Sequence, residues 1–187
     1  MSREDAKLRK LTLLLALTRG RAGRYQLKGV LGLGEGVIRR GLAALAREGL
    51  AEASRTGTEI TDRGRREIDR IAKELGLLAI SLVDVGEVAR NAWGVAAVVE
   101  GEATNVIGAR DAAVREGCDG CLIATLKGGR IVFPPLWDFN VEEAYPSLAG
   151  QLSRLLRDGL IAAVAYANTL YPAVKGAYRA AMFLRKR

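Results

Sequence analysis

The run Gly32-Leu33-Gly34-Glu35-Gly36 has the glycine density of a loop that binds phosphate through its backbone N–H groups. A phosphate-binding loop of that kind follows a strand and opens a helix, and the P-loop of nucleotide enzymes also carries Lys followed by Ser or Thr. Here the run follows a segment with helical periodicity, and no Lys-Ser or Lys-Thr pair completes it. The spacing therefore favours a turn between two helices.

Cys118 and Cys121 form the sequence Cys-Asp-Gly-Cys, a spacing suited to a redox pair or to half of a zinc site. A closed zinc site needs four ligands, and the chain has neither a second cysteine pair nor a histidine. A site shared between two chains and a disulfide both remain open. We interpret the two residues as ordinary turn and strand cysteines, and we expect no cofactor and no metal ion.

The absence of histidine excludes Ser-His and Cys-His nucleophile pairs and a histidine pH switch. A hydrophobic share of 49% in 187 residues is ample for a packed core. No apolar run reaches the roughly 20 residues that span a bilayer. The charged start, MSREDAKLRK, lacks the apolar core of a signal peptide. We therefore expect a cytoplasmic protein that does not enter a membrane.

The net charge of +8 is concentrated in the first part of the chain. From Met1 to Gly76, 17 Lys and Arg against 10 Asp and Glu give +7, whereas from Leu77 to Arg187, 12 against 11 give +1. A basic part joined to a nearly neutral part indicates a polyanionic partner for the first.

Apolar residues at helical spacing predict four helices in residues 1–76, with a two-stranded hairpin between the third and the fourth. The hairpin flanks Arg55-Thr56-Gly57, which has the composition of a tight turn. The predicted bounds are Glu4 to Leu17, Tyr25 to Leu31, Glu35 to Arg47, Leu50 to Ser54, Thr58 to Thr61 and Asp62 to Leu75.

This order of elements resembles the winged helix-turn-helix of prokaryotic transcription regulators. The resemblance covers residues 5–75 and is carried by GLGEGVIRRGLAALAREGLAEA, by the hairpin tip SRTGT and by ITDRGRREI. It implies that residues 1–76 form a DNA-binding domain for double-stranded DNA.

If the third helix enters the major groove, the face opposite Ile38, Leu42 and Leu45 meets the DNA. Arg39 or Arg40 can then bond bidentately to guanine, the commonest specific base contact. The small residues of that face permit close approach, and the remaining basic residues meet phosphates or, at the hairpin tip, the minor groove. The DNA-binding candidates are Arg24, Tyr25, Lys28, Gly36, Arg39, Arg40, Ala43, Arg47 and Arg55.

Residues 77–187 predict an α/β domain with a mixed sheet, which we expect to sense a small ligand or to mediate assembly. The predicted strands are Leu78 to Val83, Gly94 to Glu100, Gly120 to Leu126, Arg130 to Phe133 and Leu160 to Tyr166. The predicted helices are Asn105 to Glu116, Val141 to Arg157 and Tyr171 to Leu184.

Four residues of this second domain are ligand-binding candidates. Arg110 and Asp111 follow Gly108-Ala109, where backbone N–H groups at a helix start could bind an anion. Trp93 and Trp137 are large aromatic residues of the kind that line ligand pockets.

The pairing of GLGEGVIRRGL with IGARDAAVREGCDGCLIATLKGGRIVFPP resembles a family of archaeal winged-helix proteins with an uncharacterised C-terminal regulatory domain. That resemblance implies a transcription regulator, not an enzyme, and it does not identify the signal. A small-molecule effector is our separate expectation for the second domain. A palindromic site would require a homodimer, and the stripe Ala173, Ala177, Ala180 and Leu184 could supply its interface or cover its own sheet.

Two alternatives remain at this point. GLGEG also resembles the glycine loop of archaeal CTP-dependent riboflavin kinases, which would make the chain a nucleotide-dependent transferase with an accessory winged helix. The second alternative is that the chain is a protein-interaction module.

Overall fold

The computed structural model describes residues 2–186, so Met1 and Arg187, the outer limits of the two predicted domains, lie outside the described residues. The N-terminal half consists of four helices and one hairpin, as the sequence predicted, and each bound lies within one residue of the predicted one. The elements are α1 (Arg3–Leu17), α2 (Arg24–Leu31), α3 (Glu35–Arg47), β1 (Ala51–Ser54), β2 (Gly57–Ile60) and α4 (Asp62–Glu74).

Side-chain caps and one glycine fix the start of α4. Thr61 Oγ1 accepts a hydrogen bond from the Gly64 backbone N–H (3.0 Å) and donates one to the Gly49 carbonyl (2.8 Å). A Cβ at Gly64 would overlap the Leu50 carbonyl oxygen, so the first turn of α4 packs directly on the strand entrance. The hairpin and α4 are therefore held as one body.

The C-terminal half contains one five-stranded sheet with helices on both faces. Its elements are β3 (Ala79–Val83), β4 (Trp93–Glu100), α5 (Val106–Arg115), β5 (Gly120–Lys127), β6 (Arg130–Val132), α6 (Val141–Ala144), α7 (Pro146–Leu155), β7 (Leu160–Ala167) and α8 (Leu170–Leu184).

The prediction of a mixed sheet was wrong. The strand order is β3-β4-β7-β5-β6, and every neighbouring pair is antiparallel. The crossover helix α5 joins β4 to β5, which do run parallel to each other, but β7 lies between them and is antiparallel to both. A strand-helix-strand pattern predicts parallel neighbours only when no later strand inserts between the two.

The single helix predicted from Val141 to Arg157 is divided at Tyr145. The backbone at Tyr145 has φ −139° and ψ 62°, outside the helical region. Pro146 follows, and a proline disfavours the helical conformation of the residue before it. Proline is well suited to the first turn of the new helix, α7, because that position needs no N–H donor.

One apolar core extends through both halves of the chain. It begins with Leu8 and Leu11 on α1, continues through the face of the sheet that carries Val95 and Ala163, and ends on α8 at Leu184. The predicted stripe on α8 is buried in this core, so it covers its own sheet and α1. A second cluster fills the opposite face of the sheet beneath α7.

Polar contacts also join the two halves. Glu4 on α1 accepts a hydrogen bond from the Tyr178 hydroxyl (2.8 Å) and pairs with Arg179 (2.6 Å), both on α8. Among residues 2–186, no helix is both long and apolar enough to cross a bilayer.

Candidate nucleic-acid interface

A groove of about 480 Å³ separates α3 from the β1–β2 hairpin. Five of the nine DNA-binding candidates line it: Arg24 and Tyr25 from α2, Arg39 and Ala43 from α3, and Arg55 from the hairpin tip. All five side chains are exposed, and Tyr25 is 91% exposed. We call this feature the α3–hairpin groove.

The amphipathic pattern of α3 decides which of its residues are exposed. Ile38, Leu42 and Leu45 are buried. Because successive helical residues are about 100° apart, Arg39 and Ala43 lie on the exposed side of the helix. The packing of the hairpin beside that side of α3 then places both residues in the groove.

Backbone pairing joins the hairpin to the loop that precedes α2. The Ala22 N–H donates to the Thr58 carbonyl, and the Thr58 N–H donates to the Ala22 carbonyl, both at 2.9 Å. Gly57, at φ +135°, lies so close to Ala22 that an added Cβ would be 2.9 Å from its carbonyl carbon and oxygen. The Ser54 hydroxyl donates to the Gly57 carbonyl (3.0 Å) and closes the tip that carries Arg55.

Acidic side chains of the N-terminal half are paired away from the groove. Within residues 2–186, seven of its ten acidic residues form ion pairs, and none of the seven lines the groove. These pairs lie within α1 and α4 or join α1 to α4, α8 and the end of α3, α2 to the start of α3, and the α1–α2 loop to β2. In that part of the chain no ion pair involves the groove arginines or Arg40 and Arg47. The positive charge of this face is therefore available to an external anion.

An ion-pair network fixes the C-terminal end of α3. Lys10 Nζ on α1 lies 2.6 Å from Glu48 Oε2 at the end of α3 and 2.8 Å from Glu67 Oε1 on α4. Hydrogen bonds from Arg70, with those from Lys10, lower the pKa of Glu67 from 4.5 to about 2 despite its partial burial. Glu67 therefore stays ionised over the whole neutral range, and the three helices are tied together.

The structure separates the other four DNA-binding candidates from the groove. Arg40 borders a second depression, between α1 and α3, although it follows Arg39 directly. Lys28 lies 3.6 Å from Glu35 in an exposed ion pair. Gly36 and Arg47 are exposed on α3, and a Cβ at Gly36 would lie 3.9 Å from Arg40 Nη1.

Groove residues that sequence reasoning missed are mostly small. Ala46 lies one helical turn beyond Ala43 on α3, and Ala53 and Ser54 face the groove from β1. The spacing from Ala43 to Ala46 could have indicated the first of these. The two strand residues depend on which hairpin face turns toward α3, and local spacing does not reveal that.

The glycine run joins two helices, and no strand precedes it. Gly32 ends α2 with φ +67°, and Gly34 caps α3. A Cβ at Gly32 would overlap the side chain of Thr169, the residue that caps α8. The turn therefore rests on the C-terminal half of the chain.

The four ligand-binding candidates lie at three separate places. The Arg19 guanidinium covers the Trp93 ring at 4.7 Å from its centroid, and the Lys127 ammonium lies 4.8 Å from the Trp137 ring. Arg110 and Asp111 are exposed on α5, whose N-terminus is already capped by Asn105 through the Gly108 N–H (3.0 Å). The structure does not assemble these four residues into one pocket.

Both cysteines are buried free thiols. The Cys118 thiol donates to the Pro172 carbonyl (3.2 Å), and Cys121 is 1% exposed in β5. Burial raises the pKa of each thiol to about 12. Neither side chain is therefore a thiolate at neutral pH, which is the form that reacts and binds metals.

Residues 91–184 match the profile of a family described as a domain of unknown function, DUF4443. The chain belongs to the DUF4443 family. A solved structure, the hypothetical protein PH0730 from Pyrococcus horikoshii OT3, is similar to this DUF4443 chain at 26% sequence identity with a TM-score of 0.67. The similarity covers 95% of this chain and 91% of that one. No curated protein matches the chain.

Proposed function

We propose that this DUF4443 protein is a DNA-binding transcription regulator whose N-terminal half, α1 to α4, is a winged helix-turn-helix. The observation that carries the proposal is the α3–hairpin groove, which gathers Arg24, Arg39 and Arg55, none of them in an ion pair with a residue between 2 and 186. In this proposal α3 is the recognition helix and the β1–β2 hairpin is the wing.

The dimensions of α3 suit the major groove of DNA. Its 13 residues make a rod about 20 Å long, and the major groove is about 12 Å wide. Arg39 reads a guanine edge, with Ala43 allowing close approach. Arg24 and Tyr25 contact phosphates, and Arg55 reaches the neighbouring backbone or minor groove.

The glycine run favours a regulator over the nucleotide-dependent transferase. Gly32 and Gly34 serve as helix caps on either side of a turn, and the geometry of a strand followed by a phosphate cradle does not occur there. The residues that prompted the enzyme alternative thus have a role in positioning α3.

The C-terminal half acts in this proposal as a sensing or assembly domain, with the chain working as a homodimer. Helix α1 contacts both α3 and α8, so a change in the C-terminal half can reach the recognition helix through one packed element. Two copies would present two recognition helices to a palindromic site.

The test is retention of fragmented genomic DNA by the purified full chain. The comparison is between the wild type, an Arg39→Ala, Arg55→Ala double variant and an Arg154→Ala control on the exposed side of α7. We expect the wild type and the control to retain the same few fragments and the double variant to lose that selection. Equal retention by all three, or no retention by any, would overturn the proposal.

A further inference from the structure

The depression that Arg40 borders has the composition of a small-ligand site. It occupies about 290 Å³ between α1 and α3. Its walls are largely apolar, formed by Ala6 and Leu13 from α1 and by Val37 and Ala44 from α3. We call this feature the α1–α3 depression.

Its rim is cationic. Arg9, Lys10 and Arg40 outnumber the one acidic residue, Glu48. Lys10 is already neutralised by Glu48 and Glu67, and Arg9 Nε lies 3.0 Å from Asp5 Oδ2. Arg40 forms no ion pair with any residue between 2 and 186. An apolar floor beside one uncompensated guanidinium complements a molecule with an apolar body and an anionic head.

We infer that the α1–α3 depression binds a small amphipathic carboxylate, an aromatic or branched aliphatic acid, with its carboxylate on Arg40. A volume near 290 Å³ is at the lower end for ligand pockets, which limits the occupant to about one or two rings. Binding itself is independent of the proposed function. Its regulatory consequence rests on the proposed function, because the ligand lies against the recognition helix.

The depression lies where two helices meet at a close contact. A Cβ at Gly41 on α3 would overlap the end of the Leu13 side chain on α1, so the helices already touch there. A ligand whose carboxylate pairs with Arg40 removes one uncompensated positive charge from the surface of α3 beside that contact. In the proposed function, this loss of charge lowers the affinity of the protein for DNA.

The test is calorimetric titration of the full chain with 2-naphthoate and with its neutral counterpart, 2-naphthamide. We expect the acid to bind and the amide to bind at least about tenfold more weakly, since it forms no charge-assisted bond with Arg40. Arg40→Gln should reduce the affinity for the acid to that for the amide. Equal binding of acid and amide, or no binding of the acid, would overturn the inference.

Two alanine variants on one helix locate the site. Ala44→Leu fills the α1–α3 depression and should abolish binding of 2-naphthoate, whereas Ala46→Leu, which points into the α3–hairpin groove, should not change it. Thermal unfolding confirms that each variant folds. If Ala44→Leu does not fold, the affinity of Arg40→Gln for 2-naphthoate tests the location of the site instead. Unchanged binding in folded Ala44→Leu would refute the location.

A DNA-binding measurement in the presence of 2-naphthoate separates the two proposals. With a fragment retained by the wild type, 2-naphthoate should weaken DNA binding of the wild type but not of Ala44→Leu. If the protein binds the acid and no DNA, the proposed function fails and the ligand site stands. If it binds DNA and not the acid, the ligand site fails alone.

Discussion

Arg39 and Arg40 are adjacent on α3 but border different depressions: Arg39 lines the α3–hairpin groove, and Arg40 lines the α1–α3 depression. Successive residues of a helix differ by about 100° around its axis, so the two neighbouring arginines leave α3 in different directions. The two side chains should therefore contribute differently to the binding of DNA.

Separate substitutions test this difference. Arg39→Ala should weaken binding to a selected fragment by about 1–3 kcal/mol while leaving binding to unrelated duplex nearly unchanged, as expected for a base contact. Arg40→Ala should lower affinity for both duplexes alike, since it adds only general positive charge. Fluorescence anisotropy on the two duplexes measures this, and a larger loss of selectivity in Arg40→Ala would contradict the assignment.

Gly57 is predicted to be essential to the position of the hairpin. Gly57→Ala forces a side chain into a backbone conformation of φ +135° and to within 2.9 Å of the Ala22 carbonyl group. We expect a loss of about 2–4 kcal/mol in the free energy of unfolding, measured in urea.

Gly20→Ala is the matched control for that substitution. Gly20 has a similar positive φ, +123°, but nothing lies within 4 Å of an added Cβ. Its cost should be about 1–2 kcal/mol. If the two substitutions cost the same, the contact with Ala22 does not hold the hairpin.

Glu67 should make stability depend on pH below 5. Its pKa is lowered to about 2 in the folded protein, from 4.5, chiefly by hydrogen bonds from Arg70. A depressed folded pKa gives stability that is complete above the unfolded pKa and is lost as pH falls toward the folded one. We expect a loss on the order of 1–3 kcal/mol between about pH 5 and pH 2.

Glu67→Gln isolates that contribution. The variant should be less stable at pH 7, and its difference from the wild type should shrink as the pH falls through this window. Asp69→Asn, an exposed change on the same helix, should preserve the wild-type profile. Parallel profiles of wild type and Glu67→Gln would refute the role of Glu67.

Cys118 and Cys121 should be unreactive in the folded protein. Burial raises the pKa of both thiols to about 12, so the reactive thiolate is scarce at pH 8. A colorimetric disulfide reagent should label neither at that pH and should label both after unfolding in guanidinium. Rapid labelling of the native protein would contradict the buried geometry.

Local signals predicted the elements well, but they could not predict the order of the strands. Caps and turns such as Thr61 and Gly57 specify where an element starts or ends, and they act within a few residues. The insertion of β7 between β4 and β5 depends on pairing between distant segments, for example Ala163 with Ala97 and with Ile123. The periodicity of a single strand carries no information about which strand lies beside it.

In the candidate site, too, local features could be predicted from the sequence and contacts between distant segments could not. The buried face of α3 could be read from its spacing, so the exposed position of Arg39 was predictable. Which neighbour each exposed residue faces depends on where α1 and the hairpin pack, and the sequence does not reveal this. Trp93 is a similar case, because its partner Arg19 belongs to the other half of the chain.

The salt dependence of DNA affinity tests the central proposal most directly. On one duplex, the slope of log affinity against log salt concentration counts phosphate contacts at about 0.9 per contact. We predict a steep slope for the wild type and for Arg154→Ala, and a slope shallower by about 2 for Arg24→Ala, Arg55→Ala. A slope near zero in the wild type, or equal slopes in all three proteins, would contradict binding through the α3–hairpin groove.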